Sequence, residues 1–88
     1  MTLTMTFPSE AFTKALNDSQ GLLARGKRSF LHVERKKRLE ALYAAYRKYS
    51  DLAQQDMALL DVTLEMSVLM SEIEQINEML RELSATTE

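Results

Sequence analysis

The stretch SFLHVERKKRLEALYAAYRKYSDLAQQDMALLDVTLEMSVLMSEIEQINEMLREL, Ser29 to Leu83, decides the fold. It holds no glycine and no proline. It is rich in Leu, Ala, Glu, Lys, Arg, Gln and Met, the residues that lose least on entering a helix. Apolar positions repeat at heptad spacing in two blocks. Leu39, Leu42, Tyr46, Tyr49 and Ala53 form the first; Met66, Leu69, Ile73, Ile76, Leu80 and Leu83 form the second. Both have the form of a coiled-coil seam. Continuing the first block puts Asp56 and Thr63 on its seam, whereas the second runs back through Val62 and Leu59. The phase must therefore shift between 50 and 62, by a stutter in one helix or a turn between two.

Ser50-Asp51 is the leading turn candidate within a joint region of 48–56. Arg47 and Lys48 would close one helix, Asp51 would open the next, and Gln54 would complete a weak capping box. No glycine supports the turn, and this tips the reading toward a continuous rod over a hairpin. Such a rod would be ~80 Å long at 1.5 Å per residue.

Outward from this stretch, Arg25-Gly26-Lys27-Arg28-Ser29 reads as a basic turn, with Gly26 a left-handed stop and Ser29 a cap. Before it, Ser9 caps a short helix within 9–24, with Glu10 in its first turn and Phe12, Leu16 and Leu23 roughly on one face. Asn17 to Gly21 weakens that helix. Residues 1–8 read as a frayed start. The expected fold is all-α: a long antiparallel coiled coil, helical hairpin or bundle with a short N-terminal helix, in one domain spanning 1–88.

Between Asp61 and Val68 polar and apolar residues alternate, which is a strand signature. With no flanking turn and no second strand, helix is the better reading. Ten of the fourteen residues from Met57 to Met70 are apolar. As a helix, that band is apolar on nearly every side and needs cover from more than one direction. The expected partner-binding residues are Met57, Leu60, Leu64, Met66, Leu69, Met70, Ile73 and Ile76. Cover would come from Phe12 and Leu16, from a second copy, or from another protein. A chain of 88 residues buries a modest core, so completion by oligomerisation or a partner is expected.

Net charge is −2, but residues 25–48 carry +7 and residues 49–88 carry −8. A rod with a basic front and an acidic tail opposes its own macrodipole, and a parallel dimer stacks like on like. Antiparallel pairing relieves both. In a rod-like dimer, residues 35–38 would face 76–79 and meet the Glu72–Glu82 face; in a hairpin the basic helix would lie against Asp61 and Glu65. Exposed pairs contribute only ~0.2–1 kcal/mol each, so charge selects orientation more than it stabilises.

Arg25, Lys27, Arg28, Arg35, Lys36, Lys37 and Arg38 are the candidate phosphate-binding set. A basic helix running into heptads has the outline of a basic-zipper reader of the major groove. The run holds no asparagine to read a base edge, and no leucine recurs every seventh residue. Phosphate contact needs only clustered Lys and Arg. The plainer reading is a charged surface matched by the acidic half.

No other cluster carries chemistry. His32 is the only histidine and there is no cysteine, so no ordinary zinc site or disulfide is available. Glu74, Glu78 and Glu82, with Glu72 beside them, read as a solvated face, because the Glu-x-x-His pairs of a di-iron bundle are absent. Tyr43, Tyr46 and Tyr49 could stack bases, but seam packing explains them. The methionines suit an adaptable groove as well as ordinary filling. No nucleophile motif or phosphate loop appears, so no enzyme and no cofactor is expected.

The leading functional expectation is a non-enzymatic interaction module: a small helical adaptor, assembly factor or chaperone-like subunit that packs amphipathic helices against itself or another helical protein. Small secretion chaperones are similar in size and character, an analogy at the level of fold. A dimeric nucleic-acid binder using residues 25–38 is the alternative, and a coiled-coil spacer the third. With no apolar run near 20 residues, no membrane association is expected and the default location is cytoplasmic.

Overall fold

The structure is a computed structural model that describes residues 8–86, of Thr86 the backbone alone. Met1 to Phe7, expected to fray, lie outside the described residues. These contain three helices and no strand: α1 (Glu10–Ser19), α2 (Ala24–Gln54) and α3 (Leu60–Thr86). The alternating run Asp61–Val68 lies within α3.

The helix start at Ser9 is as expected. The Ser9 hydroxyl accepts a hydrogen bond from the Phe12 N–H at 3.2 Å, and Glu10 sits in the first turn. Next, α1 ends at Ser19, and the break to α2 is Gln20–Leu23. Gly26 is not a stop. It lies in the first turn of α2, neither glycine has positive φ, and Ser29 is helical rather than a cap. The chain reverses earlier, around Gly21, because α1 must fold back to lay Phe12 over Leu31. A Cβ at Gly26 would meet only the Leu22 side chain, at 4.0 Å. Gly26→Ala should therefore stabilise the protein by up to ~1 kcal/mol, read in thermal denaturation. A loss of stability would restore the left-handed stop.

The continuous rod is corrected to a hairpin. The main body measures 51 Å in its longest dimension, and α2 packs along α3. The joint is Gln55–Leu59; Ser50 and Asp51 are helical. Asp56 takes φ +60°. Its N–H donates to Ala53 O at 3.1 Å, and the Met57 N–H reaches back to Leu52 O at 3.0 Å. These bonds make a Schellman stop with aspartate where glycine is usual. Aspartate tolerates the left-handed region better than most residues.

The position of the turn sets the register. Arg35 meets Asn77 and Arg38 meets Glu72 across the hairpin. The basic helix thus faces Glu72 and Asn77, not Asp61 and Glu65. A turn moved five residues along the chain moves the pairing on the second helix of the hairpin by about ten. Contacts between 35–38 and the Glu72–Glu82 segment, expected between two rods, form within one chain.

On α3 the second heptad block is the inner seam, with Ile76 buried and Met66, Leu69, Ile73, Leu80 and Leu83 half-buried. Its extension through Val62 and Leu59 also turns inward. On α2 the first block is not the inner seam. Leu31, Glu34, Arg38 and Ala45 are buried, whereas Leu39, Tyr46 and Ala53 are exposed. The core gathers Phe12, Leu31 and Ile76, with Leu16, Met79, Leu80 and Leu83 around them. It therefore sits at the open end of the hairpin, where α1 covers one face.

Candidate interaction surface

Two charged positions occupy the inner seam of α2, and α3 answers them. Arg38 is 7% exposed and Glu72 2%. The Arg38 Nε donates to Glu72 Oε1 at 2.9 Å. Its Nη1 donates to Glu34 Oε1 at 2.6 Å and to Glu34 O at 3.1 Å. The other Glu72 oxygen accepts the Ser9 N–H at 2.6 Å. Lys37 Nζ reaches Glu34 Oε2 at 3.3 Å. The guanidinium lies over the Phe12 ring, 4.8 Å from its centroid. All three helices thus meet at one guanidinium, and no buried polar side-chain atom among the described residues lacks a partner. Burial pushes the Glu34 carboxyl up, but the hydrogen bonds and charges of Arg38 and Lys37 together hold it below the ordinary carboxylate value.

This cluster fixes register and holds α1 down. Its acids and bases are paired with one another and with the Ser9 N–H. An open cleft of about 500 Å³ beside it is lined partly by Ser9, Lys14, Asp18 and Phe30. Among the described residues no group of three His, Asp or Glu side chains is placed to hold a metal.

The expected phosphate-binding residues are not gathered into one patch. Arg38 is inside the protein and Lys37 is tied to Glu34. Arg35 donates to Asn77 Oδ1 at 2.8 Å and to Nδ1 of His32 at 2.9 Å. Arg28 and Arg35 share a shallow depression with His32 and Arg81 at the open end of the hairpin. Arg25 and Lys36 are exposed, and Lys27 half-exposed. Spacing on α2 explains the scatter: 35, 36, 37 and 38 step round the whole helix at 100° each.

The apolar band is placed differently from expectation. Phe12 and Leu16 do not cover it; they pack at the other end of the hairpin. Within the band Val62 is buried, Met66 and Leu69 are half-buried, and Met57, Leu60, Leu64 and Met70 are each more than half exposed. Of the remaining partner-binding candidates, Ile73 is half-buried and Ile76 is in the core.

The uncovered part continues onto α2. Leu39, Leu42, Tyr43, Tyr46, Met66 and Met70 line one groove of about 290 Å³ on the hairpin face away from α1. Leu39 is 47% exposed, Tyr46 57% and Tyr43 69%. A second depression shares Leu39, Leu42 and Met70 and extends the groove to Ile73 and Glu74. Tyr43 stands at the rim with the Arg47 guanidinium 5.9 Å from its ring centroid. Sequence reasoning named the α3 half of this surface and read Leu39 and Tyr46 as seam. It missed Glu34, although Leu31-x-x-Glu34-x-x-x-Arg38 has seam spacing, and its solvated face is corrected at Glu72, which is buried against Arg38.

No helix among the described residues is long and apolar enough to cross a membrane. No protein-family model, curated protein or solved structure matches the chain.

Proposed function

We propose that this protein is a non-enzymatic protein–protein interaction module, a small helical adaptor, assembly factor or chaperone-like subunit that receives a helical surface on the groove face of its hairpin. One observation carries the reading. In the heptad block Leu39, Leu42, Tyr46, Tyr49, Ala53, three residues, Leu39, Tyr46 and Ala53, are exposed and Leu42 and Tyr49 are only half-buried. Heptad spacing is a pattern for packing on a helix. Here α3 packs on the adjacent stripe of α2, Leu31, Glu34, Arg38 and Ala45. Leu39, Leu42 and Tyr46 of the heptad block thus line an open groove, with Leu39 and Tyr46 more than two-fifths exposed. Large aromatic and methionine side chains beside such a groove are the composition of interface centres.

A photo-crosslinking residue at position 46, in the native host, tests this. A discrete adduct is expected from Tyr46, and none from Val33, which is 53% exposed but lies off the groove by helical spacing. No adduct at 46, or the same smear from both positions, would sink the proposal. The nucleic-acid alternative draws less support, since Arg38 is buried in an internal pair.

A further inference from the structure

We infer that the occupant of the groove is a second copy of this chain, docked hairpin on hairpin with both turns at the same end. In this arrangement α2 of each copy lies antiparallel on α3 of the other, giving a four-helix bundle. The inference deepens the interaction reading above and rests on it.

Helix charge selects the geometry. Nine basic residues on α2 stand against Glu34, Glu40 and Asp51, net +6; six acids on α3 stand against Arg81, net −5. Two faces of this kind close by a two-fold in one of two ways. An axis across the helices lays α2 antiparallel on α2 and leaves the basic residues 24–38 opposite residues 39–54, which are net neutral. An axis along the helices lays each α2 on the partner copy's α3 and sets residues 24–38 level with the segment that carries Glu74 and Glu78. Unlike charges brought together favour affinity and speed encounter, so charge selects the second arrangement.

The register of that contact is readable in one chain. Because Arg35 meets Asn77 within the hairpin, residue 36 of one copy lies level with about residue 76 of the other. Lys36 shares a helical face with Leu39 and Tyr43 by its i, i+3, i+7 spacing. Glu74 lines the groove and Glu78 follows one turn later. Lys36 and Glu74 make no ion pair among the described residues, and the Glu78 contact with Arg81 is long, 3.8 Å, and exposed. Lys36 of each copy therefore meets Glu74 and Glu78 of the other. Between these rims Leu39, Tyr46 and Met70 of both copies fill the two facing grooves. The half-buried Leu42 and Ile73 become the centre of the bundle. This is the additional cover that a short chain with an incomplete core requires.

The chain lacks cysteine, so a single Gln55→Cys in the exposed turn allows site-specific spin labelling. Sedimentation equilibrium of the purified chain at micromolar concentration is expected to give twice the 10.1 kDa chain mass. Labels at position 55 should lie about two helix diameters apart, ~20 Å. The crossed arrangement would separate them by about the length of the molecule, 51 Å. Tyr46→Asp should raise the dimer Kd by about 100-fold or more, with unchanged helicity in circular dichroism. Lys36→Glu and Glu78→Lys should each weaken the dimer roughly three- to tenfold and restore it when combined.

A monomer at these concentrations, a long label distance, or a dimer indifferent to Tyr46→Asp overturns the self-docking. The crosslink at position 46 separates the two levels of the reading. An adduct to a different protein, with a monomeric purified chain, removes the second copy and leaves the interaction module standing. No adduct of any kind removes both.

Discussion

Arg38→Ala should be among the most damaging single substitutions, costing ~3–5 kcal/mol, the usual loss when one partner of a buried ion pair is removed. Against a total of ~5–15 kcal/mol for a domain, and at the lower end for a chain this short, that loss leaves little cooperative folding. Two effects combine. The carboxylates of Glu34 and Glu72, 8% and 2% exposed, lose their shared guanidinium. The Phe12 ring also loses the cation stacked on it. Thermal denaturation should show a fall in Tm of roughly 15–30 °C. A variant within ~1 kcal/mol of the parent would mean that the cluster behaves as a surface pair.

The pH dependence adds a sign. In the parent protein the Glu34 carboxyl is held below its ordinary value, chiefly by bonds from Arg38 and Lys37 that outweigh its burial. Its contribution to stability is present above the unfolded-state value and is lost as pH falls through the lowered one. In Arg38→Ala the stranded Glu34 carboxylate favours protonation, so the gap between variant and parent should narrow as the solution is acidified. Replacing the whole cluster with Glu34→Leu, Arg38→Met and Glu72→Leu should recover most of the loss. Well-packed apolar groups commonly match or exceed a buried ion triad in stability.

Arg38 also marks where the sequence is hard to read. A periodicity scan weighs apolar residues, and the α2 seam has charges at two of its positions. The eye therefore moves one position round the helix, to Leu39, Leu42 and Tyr46, which repeat cleanly but face the groove. On α3 the heptad seam from Val62 to Leu83 is apolar throughout and was legible. The Ser9 cap was legible for the same kind of reason, because one residue supplies the bond locally. The turn was not, because Asp56 adopts positive φ without glycine to announce it. Gly26 misled in the opposite sense: a glycine in a helix's first turn costs some stability but does not end the helix. The break at Gln20–Leu23 is set by tertiary packing, since α1 has to return to Leu31. Of the interaction surface, composition revealed the apolar excess of Met57–Met70. Which faces stay uncovered depended on where α1 docks, and a distant contact decides that.

Phe12 is the largest buried side chain in that docking, and Phe12→Ala should release it. Phe12 is 1% exposed, lies between Leu31 and Ile76 in the core, and carries the Arg38 guanidinium on its ring. Truncating a buried phenylalanine costs ~3–5 kcal/mol. A ten-residue helix has no stability of its own in water, so α1 cannot absorb that loss and remain folded. The expected result is a protein cleaved rapidly between residues 8 and 23 in limited proteolysis, with helical signal reduced and Tm lowered. The Ser9 N–H leaves Glu72 at the same time, so the ion cluster opens to water from the α1 side. Phe12→Ala and Arg38→Ala should then be non-additive. Either one removes the stack and loosens the other residue's surroundings, and the double variant should cost less than the sum by ~0.5–3 kcal/mol. Strict additivity would mean that ring and guanidinium stabilise the fold independently. The three helices would then be held by two separate contacts rather than by one shared residue.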